Sequence, residues 1–344
     1  MDMLDVKEFG AIGDGAADDT AALQRALDAA AEKKATVFVP AGEYLCADLK
    51  LHPQTGLFAH PTWRYNQPGG AILRLRDAGA RCLLDIAGAV GSTVNGLCFD
   101  GGRLGKGIHG IAADKPDYTT EDALRLERCW IGRFTGDGLF VNHIWCFTVR
   151  HTMSAFNGGC GLRAEGWDGF LLDNWFSGNV GAGLGCTDGF SSMTMTGNRI
   201  EWNREGGIVL ADSSHFNITG NYLDRSGRAG IDLRPGCRNL TITGNVIYRS
   251  GRPWRELEKH ESCQVSLDGC ENVVFSDNML TLGRDDAGKG DWSPRCGLVY
   301  RGLQNCIIKD NVMQRGALEE LLVNLGGHRE GVIVKDNVGT VGAP

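Results

Sequence analysis

The chain has 344 residues, 42% of them apolar, with 50 glycines, 9 prolines and a formal net charge of −7. That balance gives no electrostatic footprint for nucleic acid or an anionic membrane surface, and no run of 18 or more apolar residues offers a transmembrane helix. Length alone suggests two domains, a weak guide for all-β chains, and the excess of glycine over proline suits many tight turns rather than disorder.

The opening "MDMLDVKEFGAIGDG" lacks the basic and apolar regions of a signal peptide. That leaves localisation between a cytoplasmic chain and one whose leader or upstream domain lies outside these residues. Next, "DDTAALQRALDAAAEKKATVFVPAGEY" (18–44) reads as a helix and then a strand. Asp18 or Asp19 is placed to cap the helix, and Leu23, Leu27 and Ala30/Ala31 form its apolar face. Laid over a first coil of strands, such a helix would cover an edge otherwise open to aggregation. The stretch "VKEFGAIGDGAADDTAALQRALDAA" (6–30) closely resembles the N-terminal signature of the pectate-lyase-like superfamily of right-handed β-helix proteins. The resemblance implies the fold for almost the whole chain. The superfamily includes pectate lyases, polygalacturonases, alginate epimerases, inulin fructotransferases and phage tailspikes, so it does not fix the chemistry.

Beyond the helix, one phrase recurs. Aligned on its asparagine it falls at Asn174, Asn198, Asn221, Asn245, Asn278, Asn311 and Asn337, at intervals of 24, 23, 24, 33, 33 and 26. Steps of 23 backwards reach His151 and Arg128, where the apolar pattern persists without the asparagine. Each unit reads as a strand of alternating pattern, a Gly-Asn or Asp-Asn pair, a short strand, a polar loop, and a third strand opening with glycine. Alternation predicts Phe147/Val149, Phe170/Leu172, Met193/Met195, Phe216/Ile218 and Leu240/Ile242 inward in the first strand. In the third it predicts Leu139/Val141, Leu162/Ala164, Leu184/Cys186, Ile208/Leu210 and Ile231/Leu233 inward. A unit this short closes a core only by stacking on copies of itself. The asparagine suits a left-handed turn position and a hydrogen-bonded ladder. The expected fold is therefore all-β: a single-stranded right-handed parallel β-helix of about ten coils with an N-terminal capping helix. One domain, 1–344, is expected, with the cap and first strands in 1–50 and coils in 51–344.

Long loops near 249–262 and 282–295 enter before the third strand and should form one wall. Segments 101–122 and 53–70 are candidates for walls nearer the N-terminus. The 12 cysteines show no CxxC or zinc-type spacing and read mostly as buried thiols, although Cys237 and Cys270 sit in equivalent places and are candidates to pair under oxidising conditions.

The outer face of the third strand gives two columns. One runs Phe140, Arg163, Gly185, Val209, Asp232, Ser266, Val299, and the other Asn142, Glu165, Thr187, Ala211, Arg234, Asp268, Arg301. Glycosidic chemistry needs two carboxylates, about 5–5.5 Å apart for retention or roughly 6.5–9.5 Å for inversion. Coil stacking offers both spacings, and Glu205 with Asp232 is the preferred catalytic pair. Arg163, Glu165, Arg234, Asp268, Trp254 and His260 are the expected substrate contacts, with Glu201 and Asp224 as a further carboxylate pair one coil apart. Trp175 and Tyr222, with Arg199 between them, form an outward column suited to stacking.

Family motifs are mostly unmatched. The polygalacturonase set is absent. The Asp-Pro-His-Glu motif of alginate epimerases would fall on "GDGLFVNH" (136–143), which keeps His143 but has no acid at the equivalent place. No calcium-binding acidic cluster of the pectate lyases is recognisable, so no cofactor is required by the sequence and calcium stays open. The favoured function is a carbohydrate-active enzyme that cleaves or rearranges glycosidic bonds of an oligo- or polysaccharide, as a glycoside hydrolase or fructotransferase does. The alternatives are a polysaccharide lyase acting on a uronate polymer and a non-catalytic glycan-binding shaft; all three admit a homotrimer.

Overall fold

A computed structural model describes residues 3–251, 257–283 and 293–342. The chain forms two compact units, Met1–Trp175 and Phe176–Pro344.

In the first unit parallel strands stack into three ladders. One carries Met3–Asp5, Thr36–Phe38, Gly56–Phe58, Thr93–Asn95 and Leu124–Glu127. A second carries Leu49–Lys50, Cys82–Asp85, His109–Asp114, Leu139–Arg150 and Leu162–Leu172. The third runs from Asp14–Asp18 through Gly42–Cys46, Ala71–Leu75, Cys98–Asp100 and Trp130–Gly132 to Met153–Ala155. The helix Thr20–Lys33 buries Ala22, Leu23, Ala26, Leu27 and Ala30. Its two candidate caps divide the work. Asp18 accepts the Thr20 N–H at 3.0 Å, while the buried Asp19 accepts the N–H groups of Ile12 and Gly13 at 2.6 and 2.9 Å, tying down the preceding loop.

The second unit repeats the pattern with the expected register. Gly185, Val209, Asp232, Ser266 and Val299 are successive partners in one ladder. Its inward residues, among them Leu184, Ile208, Leu210, Ile231 and Leu233, are fully buried. Every strand is thus one member of a right-handed parallel β-helix coil, with the alternation of the sequence becoming inside and outside.

Three local expectations shift. Phe170 is 40% exposed and Leu171 is buried instead, because Asp168 takes a left-handed φ of 59° and moves the alternation by one residue. The left-handed turn residue is the one before the asparagine: Gly197, Gly220 and Gly244 have φ of 69°, 66° and 64°, and Asp277 and Asp310 have 57° and 56°. That explains why the pair reads Gly-Asn or Asp-Asn, since those residues tolerate this conformation best. The asparagines themselves form the ladder. Asn221, Asn245, Asn278 and Asn311 are buried, and each donates its backbone N–H and Nδ2–H to the Oδ1 of the next coil's asparagine at 2.8–3.2 Å. Where the asparagine is missing, Arg128 and His151 occupy the left-handed position, and Thr152 holds the ladder by accepting the Cys129 N–H at 3.2 Å.

All twelve cysteines are thiols, eleven of them buried, so Cys237 and Cys270 are not bridged.

Candidate functional site

In the first unit a β-bulge organises a polar cluster. Val141 pairs with Ala164 and Ile144 with Gly166, so Asn142 and His143 together face Glu165. His143 takes a φ of 53°, rare for a side chain of its size, and a bulge of this kind re-aims a side chain beside a site. Gly166, at φ 143°, allows the close approach: a Cβ there would lie 2.0 Å from the Ile144 carbonyl oxygen.

The imidazole is held on three sides. Its Nδ1 lies 2.7 Å from the Lys115 carbonyl oxygen, which only accepts, so Nδ1 carries a proton and the lone pair of the neutral tautomer falls at Nε2. That Nε2 lies 3.8 Å from Glu165 Oε1. The Tyr118 ring meets His143 edge-on at 4.8 Å between centroids and stacks on Trp167 at 4.1 Å. Burial, and then the Glu165 charge, push the Tyr118 phenol above its ordinary value, keeping it a neutral proton donor.

Tyr118 comes from the 101–122 segment, whose end is anchored by a buried ion pair. Asp122 accepts from Lys115 Nζ at 2.7 Å and from the Trp145 N–H at 2.7 Å. Arg163 lies on the same strand face as Glu165, two residues away, which is about 7 Å. Its Nε is 3.5 Å from the buried Asp137, which also takes the Cys160 N–H at 2.6 Å and lies 3.4 Å from His109 Nδ1.

Of the residues expected from the sequence, Arg163 and Glu165 therefore belong to this first-unit cluster. Trp254 lies outside the described residues. The other candidate catalytic and substrate-contact residues fall in the second unit. There Asp232, Arg234, His260 and Asp268 line one cavity of about 440 Å³. Glu205 does not line it; its carboxylate is 3.5 Å from Arg228 Nε, which does. Glu201 and Asp224 pair in register one coil apart but are buried and committed to arginines, so substrate does not reach them. Glu201 holds Arg199 at 2.8 Å, and Asp224 holds Arg249 at 2.9 Å as well as Arg225. Of the stacking column, Tyr222 carries the Arg199 guanidinium over its ring at 4.8 Å, and Trp175 packs against Tyr65 at 4.7 Å in the first unit.

Burial raises the Asp224 carboxyl to about 6, outweighing the opposing pull of Arg249. Between 3.8 and about 6 the native chain thus keeps a proton that the unfolded chain has released. Its stabilising share is full below that window and lost as pH rises through it. Stability is expected to fall by roughly 3 kcal/mol across the window from this group, and Asp224→Asn should flatten that slope in urea midpoints measured from pH 4 to 7.

Among the described residues no group of three or more His, Cys, Asp or Glu side chains is placed to hold a metal ion.

The family model described as "Right handed beta helix region" matches residues 137–312, and "Rhamnogalacturonase A/epimerase, pectate lyase-like" matches 3–64. Mannuronan C5-epimerase AlgE3 of Azotobacter vinelandii is 28% identical over 258 residues, covering 69% of this chain and 12% of its own length. AlgE2 of the same organism is 63% identical over 258 residues, covering 68% of this chain and 23% of its own length. The chain thus spans less than a quarter of these relatives. The solved A-module of Azotobacter vinelandii mannuronan C-5 epimerase AlgE4 superposes with a TM-score of 0.64 at 20% identity, covering 99% of this chain and 100% of that one, which is a likeness of fold.

Proposed function

This chain belongs to the right-handed β-helix family, and we propose that it is a carbohydrate-active enzyme acting on a uronate polysaccharide by removing the proton at C5, next to the sugar carboxylate. The observation that carries this reading is His143, set on a bulge with its Nε2 lone pair facing Glu165 and Tyr118 beside it. In such a step the C5–H bond breaks, Nε2 takes the proton, and the electron pair passes into the carboxylate. Arg163 would meet the charge that accumulates there, and Glu165 would steady the imidazolium. Tyr118 then returns a proton to C5, which inverts the centre if it arrives on the opposite face; loss of the C4 oxygen instead gives an unsaturated end. The relatives named as mannuronan C5-epimerases favour the first outcome.

The test is incubation with polymannuronate, polygalacturonate and a neutral glucan in D2O. Deuterium at C5 with inverted residues, read by NMR on one of the uronates alone, is the expected result. Absorbance at 235 nm would make the enzyme a lyase by the same first step. New reducing ends without C5 exchange would overturn the reading and favour hydrolysis through Glu205 and Asp232.

A further inference from the structure

The second unit holds a cavity that the proton-transfer chemistry above does not use. It is formed where the strands Ile231–Leu233, Cys263–Asp268 and Cys296–Arg301 stack, with Val299, Leu267 and Ala229 contributing apolar surface. Its charged lining consists of Arg228, Arg234 and Arg301 against Asp232, Glu261 and Asp268, and His260 also lines it. Formal charges there balance, in a chain whose net charge is −7.

The pairing decides which sign of ligand fits. Each carboxylate is engaged by a guanidinium. Arg234 Nε is 3.0 Å from Asp232, Arg301 Nη2 is 2.5 Å from Asp268, and Arg228 Nη1 is 3.9 Å from Glu261. Among the described residues no three carboxylates converge as a cation needs. A guanidinium has five N–H donors in a planar fork. Arg234 and Arg301 each use one edge on their aspartate while remaining 45% and 59% exposed. Their other edges suit an incoming carboxylate in the two-point geometry that arginine favours. Asp232 and Asp268 hold those forks in place, which lowers the ordering cost of binding.

We propose that this cavity is a second binding site, for a carboxylated sugar unit, with Arg234 and Arg301 as its anion contacts. The proposal rests on the uronate reading of the first-unit cluster, and its test separates the two. Calorimetric titration of the full chain carrying His143→Ala, which slows turnover, uses a mannuronate trisaccharide, a galacturonate trisaccharide and maltotriose as probes. Binding of a uronate trisaccharide but not maltotriose is expected. Arg234→Gln and Arg301→Gln should each weaken it, or remove one of two binding events, by about tenfold or more, with a loss of affinity at higher salt.

If both variants bind as the parent does while Arg163→Gln removes all binding, the cavity proposal is overturned and the uronate reading stands. Binding that depends on Arg234 and Arg301 in a protein whose His143-intact form shows no C5 exchange would keep the cavity and sink the catalytic reading. Maltotriose binding equal to that of the uronates would overturn the cavity's anion role.

Discussion

Replacing His143 with alanine is expected to lower turnover of the uronate polymer by about 10²–10⁴-fold, the usual share of a positioned acid–base group. The loss should fall on kcat, because Arg163 and the aromatic wall of Tyr118 and Trp167 remain to hold substrate. Tyr118→Phe separates the two proton transfers. Nε2 of His143 still removes the C5 proton, but the phenol that returns one is gone. Deuterium uptake at C5, now by return of a deuteron from the solvent-exchanged imidazolium to the face it came from, should then persist while inverted product falls. A His143→Ala protein with unchanged rates of C5 exchange would remove the imidazole from the mechanism outright.

This cluster shows why the site was only partly legible beforehand. Arg163 and Glu165 stood out because outward residues of a strand can be counted from its inward ones. His143 was visible only through the "GDGLFVNH" comparison, and the carboxylate that faces its Nε2 at 3.8 Å, that of Glu165, comes from the next coil. One local signal was present: two polar residues, Asn142 and His143, stand between the buried Val141 and Ile144, where alternation allows one. That doubling is the trace of a bulge. Tyr118 carried no such mark, because its place depends on the Lys115–Asp122 pair and the Trp145 N–H that fold its segment onto the strand.

The second large effect concerns the asparagine ladder. Asn245→Ala is expected to destabilise the chain by about 3–6 kcal/mol, the cost of leaving several interior polar groups unpaired. Asn245 Oδ1 accepts both the N–H and the Nδ2–H of Asn221, and its own Nδ2 donates to the carbonyl oxygens of Ile218 and Thr243 and to Asn278. Alanine strands the Asn221 N–H and the Ile218 carbonyl in a wall that water does not enter. Asn337→Ala, at the partly exposed end of the ladder, should cost only about 1 kcal/mol, since water replaces most of what is lost. Urea midpoints of the two variants decide the matter; equal losses would mean that the ladder does not act through burial.

The sequence by itself determined the coil. A period near 23 residues, alternating strands and a Gly-Asn or Asp-Asn corner leave stacking as the way to bury that much apolar surface, and the helix that opens the 18–44 stretch announces the cap. Register in the second unit also followed, because a one-residue slip would turn Ile208 or Ile231 outward. Only tertiary structure decided which polar residues meet. Glu201 and Asp224 look like a surface pair in sequence and are buried against arginines, whereas His143, Tyr118 and Glu165 come from three separate stretches and share one space. The physical reason is range. Alternation is a property of neighbours along the strand, while a site is made by residues a full coil apart, and a single bulge or left-handed turn redirects them.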